Sequence, residues 1–109
     1  AERFAVVALD ALPDPAERAA VESALLASGR ELVRISRAQV AEFSGNGLEL
    51  AARNGSIFAL SARARAALDP DQVAQIERFA RIVSVPLPTI ERSGGSLRCT
   101  LAGIHLPPR

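Results

Sequence analysis

The chain has 109 residues, enough for one small domain, and its content of 49% hydrophobic and 23% charged residues excludes wholesale disorder. Its net charge is +1 and its basic residues, all arginine, alternate with acidic ones, so nucleic acid is not an expected partner. One cysteine and one histidine form neither an internal disulfide nor a structural zinc site, and no apolar run reaches the ~20 residues that span a bilayer. We therefore expect a cytoplasmic protein in a reducing compartment, without a membrane partner.

The first predicted unit is a strand, a helix and a second strand. The apolar run at residues 4–9 predicts a buried strand, and Asp14 followed by Pro15 is typical of a capped helix start. Gly29 predicts the end of that helix, and residues 32–35 form the returning strand. The apolar face of the helix is predicted to consist of Val21, Leu25 and Leu26.

A short connection joins this unit to a second one. Ser36 with Gln39 three residues later is a capping box, which predicts a single short turn of helix. A tight bend follows at residues 45–47. Residues 48–53 then form a strand that leads into Asn54-Gly55, the strongest short hairpin signal.

The second unit repeats the order of the first. Residues 56–60 predict a strand, Asp69 and Pro70 start a second capped helix, and residues 82–85 return as a strand. With the hairpin strand in front, the full unit is β-β-α-β, and the first copy lacks its first strand. The period of about fifty residues indicates an internal repeat. The inner face of the second helix is predicted to be Val73, Ile76, Phe79 and Ala80.

The last segment of the chain is predicted to be a strand that is followed by neither a helix nor a returning strand. Residues 86–88 are predicted to be extended, and residues 96–106 are predicted to form a closing strand that stops at Pro107-Pro108. We expect a mixed α/β (α+β) fold in a single partial domain, divided into residues 1–45, 46–90 and 91–109. Because repeat units bury their faces against neighbours, partner surface is expected from upstream polypeptide or self-association.

Cys99 is the residue that most clearly suggests chemistry. It follows Gly94-Gly95 and stands beside Arg98, and a thiol near a fixed positive charge and inward-pointing amides can have a lowered pKa and react as thiolate. The alternative interpretation is a small apolar residue buried in the closing strand. A phosphate-binding nest at residues 93–96 is a third possibility, although no predicted helix start follows it.

Five segments of the chain form a recognisable set. They are Gly45-Asn46-Gly47-Leu48-Glu49-Leu50, Leu60-Ser61-Ala62-Arg63-Ala64, Pro86-Leu87-Pro88-Thr89-Ile90-Glu91, Gly94-Gly95-Ser96-Leu97-Arg98-Cys99 and Leu106-Pro107. These segments resemble the arginine deiminase and amidinotransferase superfamily, whose members modify guanidino groups, and among its branches most of all the arginine deiminase-related, citrulline-hydrolase-like one. The resemblance implies a partial pentein fold, an α/β-propeller of β-β-α-β modules, of which this chain would hold about two and a closing strand.

The resemblance also implies site residues. Cys99 matches the catalytic nucleophile, which attacks the central carbon of a guanidinium or ureido group, and no metal or organic cofactor takes part. Asn46 matches a substrate-proximal position, although an Asn-Gly turn residue is the alternative, and Gly94, Gly95 and Arg98 flank the nucleophile. The acid–base histidine of the superfamily would fall at or just before Ala1, and His105, which lies after the cysteine in the tail, is interpreted as a surface or interface imidazole.

Two functions remain open from the sequence. The first is the C-terminal part of a cysteine-dependent enzyme that acts on an arginine-like or citrulline-like small molecule, by hydrolysis or by amidino transfer, and that is inactive as the isolated chain. The second is a non-catalytic interaction module that acts through self-association or a partner chain.

Overall fold

A computed structural model of the chain describes residues 1–107. Single 3-10 turns at Leu9–Ala11 and Leu97–Thr100 accompany the regular elements. Within the described residues the strands and helices are β1 Phe4–Val7, α1 Pro15–Ala27, β2 Glu31–Arg34, α2 Arg37–Ala41, β3 Leu48–Ala52, β4 Gly55–Ser61, α3 Ala62–Ala67, α4 Pro70–Glu77, β5 Arg81–Val85 and α5 Pro88–Arg92.

The strands form two small sheets. In the first, β1 pairs with β2 in parallel, and in the second the order is β3-β4-β5, with β3 antiparallel and β5 parallel to β4. Both predicted β-α-β units are therefore confirmed, and so is the hairpin, whose last pair is Ala52 opposite Gly55. The fold is mixed α/β, and the sheets do not close into a barrel within residues 1–107.

The core lies between the two sheets and α4. The Phe4 ring meets the Phe58 ring edge-on with centroids 5.3 Å apart and stacks on Phe79 at 5.7 Å. Leu60 and Ile76 are fully buried beside them. The predicted inner face of α4 is confirmed for Val73 and Ile76, whereas Phe79 and Ala80 also pack inward but follow the end of the helix at Glu77.

The N-termini of α2 and α4 are joined by their capping glutamines. Gln39 Oε1 accepts from the Ser36 N–H (2.9 Å), and Gln72 Oε1 accepts from the Asp69 N–H (2.8 Å). The two side-chain amides also bind each other, at 2.7 Å from Gln39 Nε2 to Gln72 Oε1 and 3.1 Å in the other direction. The paired side-chain amides of Gln39 and Gln72 therefore take part in both capping boxes and link the two β-α-β units.

The apolar face predicted for α1 is mostly exposed. Asp14 caps the helix, accepting from the Ala16 N–H at 2.8 Å, but Val21 is 38% exposed and Leu26 is 52% exposed. Of the three apolar residues of that face, only Leu25 is half-buried, and no residue of α1 is fully buried. The physical reason is the support: α1 packs on a sheet only two strands wide, which covers a narrow part of its surface.

The predicted closing strand at residues 96–106 is also wrong. Residues 97–100 form a 3-10 turn, and residues 101–107 have no regular structure. A lone strand has no partner for its N–H and C=O groups, whereas the turn satisfies some of them locally, through Cys99 N–H to Ser96 (3.1 Å) and Leu101 N–H to Arg98 (3.2 Å). Of the predicted terminal prolines, Pro108 lies outside the described residues, as does Arg109.

Two short helices occupy segments that the sequence did not predict as helical. Pro88 begins α5 instead of continuing an extended segment, because proline suits the first position of a helix. Ser61 caps α3, with its hydroxyl accepting from the Ala64 N–H at 3.1 Å. Among the described residues, no helix has the length and apolar character needed to cross a membrane.

Candidate functional site

Cys99 lies on the surface, in the 3-10 turn Leu97–Thr100 after α5. The turn is closed by the hydrogen bond from the Cys99 N–H to the Ser96 carbonyl. Leu97 is buried and the turn packs against β4, which anchors it to the second sheet. The alternative prediction, a cysteine buried in a closing strand, is therefore wrong.

Asn46 connects two segments that are distant in sequence. Its Oδ1 accepts from the main-chain N–H of Arg98 at 2.9 Å, and its Nδ2 lies 3.2 Å from Cys99 Sγ. Because a main-chain N–H can only donate, Oδ1 must face Arg98, and the NH₂ group of the amide is left to face the sulfur. The side chain of Asn46 therefore donates toward the thiol, an arrangement that favours the thiolate.

The pKa of the Cys99 thiol is lowered from its ordinary value. The main-chain hydrogen bond from Ser96 contributes most to this lowering, and the side-chain amide of Asn46 comes next. Partial removal from water opposes them, while the Cys99 amide and the charge of Arg98 add smaller lowering effects. Since the thiolate is the nucleophilic form of cysteine, these contacts increase the fraction of thiol that can react.

The two glycines before the cysteine have different effects. Gly94 has a φ of +90°, which L side chains rarely adopt, so the turn after α5 favours glycine there. A Cβ at Gly95 would lie 3.8 Å from Cys99 Sγ, so the absence of that atom leaves one side of the sulfur uncovered. The structure thus brings together all the residues singled out from the sequence, namely Asn46, Gly94, Gly95, Arg98 and Cys99.

The loop that carries Asn46 approaches the core closely. A Cβ at Gly47 would lie 2.3 Å from Cζ of the Phe58 ring, so only glycine fits without a shift of the ring. The N–H of Asn46 donates to the Phe43 carbonyl at 2.8 Å, which closes a tight turn. Packing below and hydrogen bonding within the loop therefore fix the position from which Asn46 reaches Cys99.

Cavities open on both sides of this loop. One of about 320 Å³ is lined by Val40, Phe43, Gly45, Asn46 and Gly94, and its volume is in the range of small-molecule sites. A smaller cleft of about 130 Å³ is bordered by Arg98 and by the aromatic core. Another cavity, of about 570 Å³ around the paired capping glutamines, shares no residue with the cysteine site.

The remaining candidates do not join the site. His105 is exposed in the segment after the turn, and no hydrogen bond of the described residues connects it to Cys99. Within residues 1–107, no three His, Cys, Asp or Glu side chains come close enough together to hold a metal ion. The prediction that no cofactor takes part stays a prediction.

Sequence reasoning missed two polar contacts behind the site. Ser96 Oγ donates to Glu91 Oε1 at 2.8 Å, and both residues are buried. Arg63 on α3 donates to both carboxylate oxygens of Glu42, with 3.1 Å between Nη2 and Oε1. Ser61 followed by an alanine-rich run is a local signal for α3, but it does not reveal which residue Arg63 contacts.

The described geometry agrees with a comparison of the sequence with protein families. The family described as "N,N dimethylarginine dimethylhydrolase, eukaryotic" matches residues 1–106. The chain belongs to this family. Neither the comparison with curated proteins nor that with solved structures gave a match.

Membership in this family confirms the resemblance to the arginine deiminase and amidinotransferase superfamily. The match covers both β-α-β units and the cysteine turn, so it is not limited to a short motif. The name of this family describes a hydrolase that acts on a dimethylated guanidino group.

Proposed function

We propose that this chain carries the nucleophile of a guanidino-group hydrolase, with a dimethylarginine-like small molecule as substrate and Cys99 as the attacking residue. The observation that supports this most is the contact of Asn46 Nδ2 with Cys99 Sγ at 3.2 Å, beside a glycine-lined opening. An exposed thiol with a lowered pKa and a neighbouring small-molecule cavity is the arrangement that attack on a cationic carbon requires.

The proposed reaction has two steps at the guanidinium carbon. The Cys99 sulfur forms a bond to that carbon, the bond from the carbon to the dimethylamino nitrogen breaks, and dimethylamine leaves with a proton from an acid. Water then attacks the same carbon and gives a proton to the acid–base group that protonated dimethylamine, the C–S bond breaks, and the thiolate returns while a ureido product departs and a second proton passes to solvent. Asn46 donates toward the sulfur before the attack and after its release.

The acid–base group is assigned outside these 109 residues in this proposal. His105 is the one histidine of the sequence, and it lies on an exposed segment after the cysteine turn. We therefore propose that the acid–base histidine and the substrate carboxylates come from upstream polypeptide or another chain. We also propose a cytoplasmic location, because a reactive free thiol suits a reducing compartment.

The fold supports a related proposal about architecture. The two units, divided near residues 45 and 90, share strand order and parallel pairing, as consecutive modules of a pentein propeller would. The third segment, from residue 91 on, would then bring the nucleophile to the propeller axis through the turn Leu97–Thr100.

The experiment is a trapping assay on the native polypeptide. An antibody against this segment would recover the protein from source cells, and intact mass would give its length. The protein would then receive N,N-dimethylarginine, followed by acid quenching. We expect released dimethylamine and a covalent adduct on the peptide that contains Cys99, because the intermediate is bound through sulfur.

Cys99→Ser expressed in the same background is the matched control and should abolish both signals while circular dichroism stays unchanged. Dimethylamine release that is as fast in the Cys99→Ser protein as in the wild type would contradict the proposal. So would a folded wild-type protein with neither product nor adduct.

A second function has its own supporting observation. Ile104 and Leu106, after the cysteine turn, are 80% and 78% exposed, which is unusual for two large apolar side chains so close together. They would suit the non-catalytic interaction module that the sequence left open, in which this segment binds a second copy of the chain.

A further inference from the structure

Arg63 is the only charged residue on α3 that forms an ion pair among the described residues. Its guanidinium donates to both oxygens of Glu42, the fork-like geometry that fits a carboxylate well. The same group lies over the Phe43 ring, with 5.4 Å between Cζ and the ring centroid. Arg63 therefore holds two consecutive residues of the loop that leads to Asn46.

That loop needs support because its backbone is unfavourable. Phe43 has a φ of +64°, in the left-handed region that a bulky residue rarely adopts. Its carbonyl nevertheless accepts the Asn46 N–H, so the conformation of Phe43 sets where Asn46 lies. One residue further along, Ser44 Oγ donates to the Ala64 carbonyl at 3.2 Å, so α3 holds the loop at two adjacent points.

A separate contact lies on the other side of the cysteine. Glu91 is 7% exposed and accepts the Ser96 hydroxyl, and the Ser96 main chain makes the strongest contribution to the lowered pKa of Cys99. The hydrogen bond to Glu42 is the main cause of the raised pKa of Arg63, and the charge of Glu91 adds only a smaller effect.

We propose that Arg63 is a positioning residue of the Cys99 site. It acts through Glu42 and Phe43 to place Asn46 against the thiol. It touches neither the sulfur nor the proposed substrate cavity. The inference rests on the proposed function only in taking Cys99 as the reacting group.

The test follows alkylation of Cys99 by iodoacetamide as a function of pH. Since the chain has one cysteine, intact mass reports this residue alone. We expect Arg63→Gln to raise the midpoint by about half a pH unit, because Asn46 holds the thiolate less well when its loop is released. The midpoint is the better readout, since the higher nucleophilicity of a less acidic thiolate partly offsets the change in rate.

Three further variants separate positioning from charge. Arg65→Gln, on the same helix, should keep the wild-type midpoint. Arg63→Lys keeps the charge but loses the fork, so it should shift most of the way toward Arg63→Gln. Glu42→Gln should also raise the midpoint, and it tests the same contact if Arg63→Gln does not fold.

The last experiment tests whether Arg63 acts on the thiol through Asn46. Because Asn46 transmits part of the effect, the shift caused by Arg63→Gln should be smaller in an Asn46→Ala background than in the wild type. Wild-type midpoints in both Arg63→Gln and Glu42→Gln would overturn the proposal. So would a wild-type midpoint in Arg63→Lys or full additivity with Asn46→Ala. Because the reagent is not a guanidino compound, these outcomes do not depend on whether the protein hydrolyses one.

Discussion

At the scale of single residues, the amide of Asn46 has the clearest assigned task. One end is fixed by the Arg98 N–H, so the other end can only offer hydrogens to the Cys99 sulfur. A donor stabilises the thiolate more than the thiol, and the pKa of Cys99 falls as a result. Asn46 thus acts on ionisation as well as on the shape of the loop.

Asn46→Ala should raise the alkylation midpoint of Cys99 by about half a pH unit, and Asn46→Asp should raise it by about one. Alanine removes the donor, whereas aspartate also places a negative charge beside the sulfur. Below the midpoint the variants react more slowly, and above it the thiolate fractions converge. The measurement is thiolate absorbance or alkylation rate against pH, and an Asn46→Asp midpoint at or below wild type would contradict the interpretation.

The sequence was sufficient to identify Asn46, whose side chain contacts the thiol, but not the main-chain contact from Ser96. Cys99, Arg98 and Asn46 belong to short sequence motifs that can be recognised without knowledge of the fold. Arg63 and Glu91 could not be found in this way, because their relevance depends on where short helices point and on which side chains are buried. No local pattern of residues reports those contacts.

At the scale of elements, the loop between α2 and β3 depends on a glycine. Phe58 on β4 is buried, and its ring fills the space where a Gly47 side chain would begin. The loop therefore crosses the core at the closest distance that the backbone allows.

Gly47→Ala should lower the free energy of unfolding by about 1 to 3 kcal/mol, because the added methyl group overpacks the core. It should also raise the Cys99 midpoint, since the loop that bears Asn46 must move. Gly45→Ala is the control, because its Cβ would lie 3.7 Å from Ile35 and meet nothing closer. Urea unfolding of both variants is the measurement, and equal stability of the two would contradict the packing argument.

Elements with strong local signals were predicted well. The Asn54-Gly55 turn fixed the hairpin, and two Asp-Pro caps located α1 and α4. The prediction of a closing strand was wrong because an apolar run does not reveal whether a neighbouring strand is available for pairing. The exposure of the apolar face of α1 could not be predicted for a related reason, since periodicity shows which side of a helix is apolar but not how much of that side is covered.

At the scale of the whole molecule, the described chain is elongated. Its Cα radius of gyration is 14.6 Å, compared with about 13 Å for a compact chain of this length. The segment after the cysteine turn contributes exposed apolar side chains at Leu101, Ile104 and Leu106. Surface of this kind is stabilised by burial, at roughly 25 cal/mol for each Å² removed from water.

We expect the wild-type chain to sediment as an oligomer, and the double variant Ile104→Ser/Leu106→Ser to sediment as a monomer. The control is Val21→Ser/Leu26→Ser on α1, which removes exposed apolar groups elsewhere and should leave the oligomer intact. Sedimentation velocity over a concentration series is the measurement. A wild-type monomer at every concentration would remove self-association as a role for this segment.

The lack of burial along α1 also bears on how the sequence can change over time. Five of its thirteen residues are alanine, the residue with the highest helix propensity, so the helix can persist on propensity and its Asp14 cap. A genome that favours alanine and arginine codons can impose that bias on α1 at little structural cost. Substitutions there should accumulate freely, whereas Phe4, Leu60 and Ile76 admit few replacements because their neighbours surround them completely.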